Sequence, residues 1–158
     1  MMRRTFIGSM AALMGTAAAG LAQDENAAEV FEITLTEEEW RAKLSPEAFE
    51  VLREEGTESA FSSPLDTEKR AGVYHCAGCD LALYSSEHKF DSGTGWPSFY
   101  QALPDAVRNK DDSGLFVTRT EEHCRRCGGH LGHIFDDGPK PTGKRHCING
   151  VALAFKAA

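Results

Sequence analysis

The chain has 158 residues, of which 41% are hydrophobic and 26% charged, and a formal net charge of -7. That length holds one domain with its own core, and the balance is that of an ordinary soluble protein rather than a low-complexity or membrane-embedded one. An acidic chain with no Lys/Arg stripe is poorly suited to neutralising phosphates, which argues against a nucleic-acid partner despite its paired cysteines.

In chain order, the first 22 residues run from a basic start, through an apolar and small-residue stretch, to Gly20-Leu21-Ala22, a small-residue cleavage signal. The segment reads as an export leader. "RRTFIG" resembles a twin-arginine motif, so the expected destination is the periplasm of a bacterium, with no stable membrane association after cleavage. The alternative is a retained anchor, although the apolar stretch is shorter than the ~20 residues that span a bilayer. Cleavage removes Arg3 and Arg4 and no acid, which takes the formal charge from -7 to -9. Residues 23–35 form a linker, and the domain occupies 36–158.

Thr36 and Glu39 make a capping box that starts a short helix. Ser45-Pro46 starts a second helix, and Gly56 stops it. Leu44, Phe49 and Leu52 share an apolar face, so these helices cover a core. Beyond Gly56 the β-rich runs "GVYHC", "DLALY", "LFVTRTEEH", "HLGHIF" and "CINGVALAF" alternate with turn residues. The fold class is mainly β and antiparallel, with short N-terminal helices.

Cys76 and Cys79 form one C-x-x-C, and Cys124 and Cys127 form a second. Paired knuckles of this kind suit a tetrahedral Zn(II) ion with arms of about 2.3 Å. Four thiolates saturate the ion and leave no open position, which makes the expected metal structural, one per chain, and argues against a zinc hydrolase or deaminase. Two disulfides and a redox-active C-x-x-C remain as alternatives. His75 and His123 each precede a cysteine and are either turn residues or substitute ligands.

The fifth cysteine, Cys147, lies outside both pairs, in "GKRHCINGVALAF". Strand alternation sets Arg145, Cys147 and Asn149 on one face. A guanidinium there favours the nucleophilic thiolate, and an amide can hold a polar substrate group. A small buried core residue is the competing reading. "GGHLGHIFDDGP" brings His130 and His133, with Asp137 beside them, as candidates for proton exchange near neutral pH. "SGTGWPSF" presents Trp96 from a tight loop, either as core or as an apolar wall.

The motifs "CAGCDLALY", "FDSGTGWPSF", "CRRCGGHLGHIFDDGP" and "RHCINGVALAF", in this order, resemble the methionine-R-sulfoxide reductases of the B type, over about residues 36–156. The resemblance implies two small antiparallel sheets with a four-cysteine zinc clamp away from the active site. It places the nucleophile on Cys147, the methyl-facing indole on Trp96, the active-site histidines on His130 and His133, and the family's asparagine on Asn149. Arg145 and Asp137 fall near the site, on the substrate side.

The implied substrate is methionine-R-sulfoxide, in oxidised proteins or free, which Cys147 reduces while itself becoming a sulfenic acid. The expected partner is a thioredoxin-like or other thiol reductant, and the expected state is a monomer. Many relatives carry a resolving cysteine where this chain has Thr94, so regeneration falls to an external thiol. The rival class of function is a non-catalytic, zinc-stabilised β module that binds a partner protein and uses Cys147 for packing.

Overall fold

A computed structural model of the chain describes residues 29–113 and 118–158. The leader expected at 1–22 and the first part of the linker lie outside the described residues.

Helix α1 (Glu37–Lys43) begins at the capping box: Thr36 N–H donates to Glu39 Oε2 at 2.8 Å, and Glu39 N–H donates to Thr36 Oγ1 at 3.2 Å. Helix α2 (Pro46–Glu54) has Pro46 in its first turn, where a missing N–H costs nothing, and Ser45 accepts from Ala48 N–H at 3.1 Å. Its stop differs in detail from the expectation. The left-handed residue is Glu55 (φ 56), not Gly56. Gly56 is needed for closeness instead: a Cβ there would lie 2.9 Å from Glu50 Cγ, and its N–H closes the helix end on Glu50 O at 3.0 Å.

Among the described residues the rest is built from nine strands: β1 (Gly72–Cys76), β2 (Ala82–Ser85), β3 (Lys89–Phe90), β4 (Ser98–Phe99), β5 (Val107–Ser113), β6 (Thr118–Cys124), β7 (His130–Phe135), β8 (Arg145–Ile148) and β9 (Leu153–Ala157). They form two antiparallel sheets, a three-stranded one in the order β2-β1-β9 and a six-stranded one in the order β3-β4-β8-β7-β6-β5. The mainly β fold with two sheets and short N-terminal helices is therefore as expected.

Two readings of individual segments need correction. "CINGVALAF" is not one strand. β8 ends at Ile148, a 3-10 turn at Gly150–Ala152 redirects the chain, and β9 joins the other sheet. The break follows from packing: a Cβ on Gly150 would collide with Ser63, and the N–H groups of Gly150 and Val151 turn onto the Glu58 carboxylate. β5, "VRNKDDS", went unmarked because its charged residues lack apolar alternation. It is an edge strand of the six-stranded sheet, where charge protects against further pairing.

The core lies where the sheets meet. Tyr74, Leu83, Tyr84, Phe99, Leu131 and Ile148 are fully buried, with Tyr84 stacked on Phe99 at 4.4 Å between centroids. α2 lays Ala48, Phe49, Val51 and Leu52 over β7 and the Gly150–Ala152 turn, so the helical cover backs the strands that carry the site. Within this core Glu122 is completely buried and accepts from Tyr84 Oη–H and from His146 Nδ1–H, the latter at 2.7 Å. Those donors satisfy a carboxylate that would otherwise be costly to bury. His146 points to this network. Its neighbour Cys147, by the alternation of the strand, points to the opposite face.

Candidate active site

The register of the six-stranded sheet assembles the site. Ser98 on β4 pairs with Cys147 on β8, Cys147 with His133 on β7, and His133 with Glu121 on β6. Directly opposed residues share a face, so four strands present Ser98, Cys147, His133 and Glu121 as one row. The row requires close approach of β7 to β8. A Cβ on Gly132 would be driven into the Cys147 carbonyl, so glycine is the residue that lets His133 sit beside Cys147.

A cavity of about 150 Å³ opens over this row, lined by Thr57, Trp96, Arg119, His133, Phe135, Cys147 and Asn149 along with Gly132. Its walls are largely apolar around one half-buried thiol. The expected grouping of Cys147, Trp96, His133 and Asn149 is thus brought together. His130 lies one step away: its ring centroid is 5.4 Å from that of His133, and it lines an adjoining polar cavity of about 450 Å³ together with Lys110, Asp112, Arg119 and Glu121.

Each histidine holds one nitrogen on a carboxylate. His133 Nε2–H donates to Asp112 Oδ2 at 2.9 Å, and His130 Nδ1–H donates to Glu121 Oε1 at 2.7 Å. Burial pushes both imidazoles below their ordinary pKa, and the Asp112 hydrogen bond offsets part of this at His133. Asp112 is itself held low, first by His133 and then by Arg119. The buried His130 Nε2 has no hydrogen-bond partner among the described residues.

Asp137, expected beside the histidines, is paired elsewhere. β7 ends at Phe135, and the chain then turns so that Asp137 clamps Arg145 with two hydrogen bonds of 2.8 and 2.9 Å. The guanidinium also lies 4.3 Å from the Phe135 ring centroid. Arg145 and Asp137 line a separate depression with Ser92 and Thr94, and neither lines the apolar cavity. Burial pushes the Cys147 thiol up, while Arg145 and a Thr94 hydroxyl pull it down and Asp137 cancels part of the Arg145 effect. The expected pull of Arg145 is present, and burial outweighs it.

Asn149 is not in the strand with Cys147; it caps the Gly150–Ala152 turn. Its amide is committed to main chain at both ends: Nδ2–H donates to Leu131 O at 2.9 Å and Oδ1 accepts from Glu58 N–H at 2.9 Å. Glu58, which no sequence motif marked, is the hub of this wall. Its carbonyl accepts from Trp96 Nε1–H at 3.1 Å, and its carboxylate accepts from Gly150 N–H at 2.6 Å and Val151 N–H at 3.0 Å. One residue of the α2–β1 connection thereby fixes the indole, the amide and the turn. Asp112, Arg119 and Glu121 were also missed, because their link to the histidines is made across strands and leaves no local spacing to read.

The four paired cysteines lie apart from this cavity. Their sulfurs are all within 4.8 Å of one another, with Cys76–Cys127 at 3.7 Å and Cys79–Cys124 at 3.5 Å. A disulfide would need about 2.05 Å, whereas a tetrahedron with 2.3 Å arms has edges of about 3.8 Å. The spacing fits an ion and not two disulfides. Four buried thiols this close cannot all ionise without a cation between them. His75 and His123 are engaged elsewhere, on Asp80 and Glu29.

A family profile described as "SelR domain" matches residues 44–157. A peptide methionine sulfoxide reductase MsrB of Methanosarcina barkeri is 57% identical over 122 residues, covering 77% of this chain and 86% of that protein. One of the same name from Pseudomonas putida is 54% identical over 125 residues, covering 78% and 94%. The peptide methionine sulfoxide reductase B1, chloroplastic, of Oryza sativa is 50% identical over 127 residues, covering 80% of this chain and 59% of that protein.

Proposed function

We propose that this chain, which belongs to the SelR domain family and is similar to MsrB-type peptide methionine sulfoxide reductases over most of their length, reduces methionine-R-sulfoxide with Cys147 as nucleophile. The observation that carries this reading is the cavity itself. The one cysteine outside the quartet opens into an apolar pocket that has an indole as its wall and an imidazole beside the sulfur.

In the first step the sulfur of Cys147 attacks the sulfoxide sulfur, whose methyl group packs on Trp96. The proton lost by the thiol ends on the departing oxygen, with His133 as the acid that relays it and His130 in support. Cys147 is oxidised by two electrons to a sulfenic acid, the sulfoxide is reduced by two to the thioether, and no net proton is consumed. A raised thiol pKa is therefore no obstacle, because the proton moves within the site. Arg145, held by Asp137, steadies negative charge on the sulfur, and Asn149 with Glu58 fixes the wall that receives the substrate.

Thr94 offers no thiol, and the quartet is enclosed in its cluster. The sulfenic acid is thus returned by an external thiol: two thiols give one disulfide, one water and the resting Cys147. A thioredoxin-like protein or a small thiol fits this role, acting on a monomer. Cys76, Cys79, Cys124 and Cys127 would hold a zinc ion, which their soft donors and spacing favour. When bound, it supplies cross-linking of two turns. The leader-like residues 1–22 support export by a twin-arginine route to the periplasm, ahead of the linker at 23–35.

The test is turnover of resolved R and S sulfoxides, peptide-bound and free, with a dithiol, in wild type and Cys147→Ser. The account predicts R-specific turnover that is lost in the variant. Turnover preserved in the variant, or none in folded, zinc-loaded wild type, contradicts it; the latter result would favour a partner-binding module.

A further inference from the structure

On the reading that Cys76, Cys79, Cys124 and Cys127 hold zinc, we propose that residues 31–54 are the outer half of that metal site: they cover both cysteine turns, Arg53 supplies a countercharge, and the segment must lift before the ion leaves.

The cover follows from how the segment packs. Trp40 of α1 is buried and lies over the first turn, where a Cβ on Gly78 would touch its Cζ3 at 3.5 Å. The second turn ends in Gly128 and Gly129, and at each of them the segment lies too close for a side chain. A Cβ on Gly128 would stand 2.5 Å from the Phe31 ring, and one on Gly129 would stand 2.8 Å from Leu52 Cδ2. Ile33 N–H adds a hydrogen bond to the Arg126 carbonyl at 3.0 Å. The four ligand cysteines are accordingly buried, the most open of them, Cys79, at 7%. A chelator has no direct path to their sulfurs while the segment is seated.

The countercharge follows from the donor set. Four thiolates around a divalent ion leave two negative charges in a buried place, which is costly unless cations stand close by. Two guanidinium groups do. Arg126 Nη1–H donates to the Cys79 carbonyl at 3.3 Å, and Arg53 Nη1–H donates to the Cys127 carbonyl at 2.9 Å. They are not equivalent. Arg126 shares its charge with Glu32, whose carboxylate lies 3.6 Å from Arg126 Nε. Arg53 pairs with no carboxylate among the described residues, and its neighbour Glu54 is taken by Arg41 at 3.0 Å. The Arg53 guanidinium also lies 4.8 Å from the Trp40 ring centroid, so one side chain joins α2, the covering indole and the carbonyl of a ligand.

The experiment is the rate of zinc release from the zinc-loaded full chain into excess pyridylazoresorcinol, a coloured chelator, with the unfolding free energy of each variant measured by urea titration. For each comparison wild type is brought to the same unfolding free energy with urea, which removes the part of release that passes through global unfolding. Arg53→Met is expected to release zinc about tenfold faster than matched wild type, the size of effect seen when a partner of a metal ligand is lost. Arg53→Lys keeps the charge and loses the planar donor, and its rate is expected to fall between those two. Phe31→Ala loosens the cover without changing its charge and is expected to release zinc about fivefold faster, so it serves if the Arg53 variants do not hold zinc. Rates in Arg53→Met and Phe31→Ala equal to matched wild type overturn the proposal, and an Arg53→Lys rate equal to that of Arg53→Met overturns the countercharge. Wild type that binds no zinc overturns the reading of the quartet and the proposal with it, a failure seen by metal analysis before the chelator is added.

Discussion

The quartet of cysteines and the solitary Cys147 are the same side chain in two surroundings, and the comparison shows how surroundings decide what sulfur does. Cys76, Cys79, Cys124 and Cys127 are buried, face one another, and join the end of β1 to the β6–β7 turn. Their close packing demands a cation and leaves no space for a substrate. Among the described residues, Cys147 has no other sulfur in its cavity. It is half-buried on the sheet face opposite the core and has a pocket above it. The first region is built for cohesion, and the second for access.

The largest effect expected from breaking this contrast is on the first region. Structural zinc sites contribute on the order of 10 kcal/mol to folding, comparable to the whole net stability of a domain. Chelation, or Cys124→Ser, is therefore expected to unfold the protein at ambient temperature in a calorimetric or circular-dichroism melt. Cys147→Ser should instead shift Tm by no more than about 3 °C while turnover falls by at least about a thousandfold. A Cys147→Ser variant that unfolds would assign Cys147 to the core.

Next in size is Gly132→Ala, which forces β7 off β8 at the row that joins His133 to Cys147. It is expected to lower stability by about 3 kcal/mol in urea titration and to reduce turnover in the protein that remains folded. An unchanged urea midpoint would show that the strands can separate without cost. Glu58→Ala removes two hydrogen bonds to a carboxylate at the Gly150–Ala152 turn. It is expected to cost about 2 kcal/mol and to raise KM more than it lowers kcat, since the wall around Trp96 loosens while Cys147 and His133 stay in register. Glu58→Gln, which keeps one acceptor, should recover part of both effects.

The smallest effect is on pH. Burial holds His130 and His133 below their ordinary 6.5, so the unfolded chain binds more protons than the folded one as pH falls through that value. The stability they contribute is complete above 6.5 and is lost as pH drops toward their folded pKa values. The urea midpoint is expected to decline below pH 6.5, and His133→Gln should flatten that decline by less than about 1 kcal/mol. A slope of the opposite sign would mean that Asp112 and Glu121 outweigh burial.

How much of this was legible in the sequence depended on whether the signal was local. The capping box at Thr36, the Pro46 helix start and the two cysteine knuckles are properties of four to eight consecutive residues, and they stand as read. The gathering of Trp96, His133, Cys147 and Asn149 came from resemblance over four motifs. The partners of these residues were hidden because cross-strand register decides them. Asp112 and Glu121 reach the histidines from β5 and β6, and Glu58 reaches Trp96 and Asn149 from a connecting loop. The misreading of "CINGVALAF" has the same origin, since the turn at Gly150 answers to Ser63 and Glu58, some ninety positions earlier.

The division of labour between the two kinds of sulfur is tested most directly by trapping the first step. The zinc-loaded protein would be given one equivalent of an R-sulfoxide peptide without any thiol, then treated with dimedone, digested and mapped by mass spectrometry, with zinc measured in parallel. The prediction is one thioether formed per chain, the dimedone adduct on Cys147, and all four quartet cysteines unmodified with their zinc retained. An adduct on Cys76, Cys79, Cys124 or Cys127, or release of zinc as the thioether forms, would contradict the account.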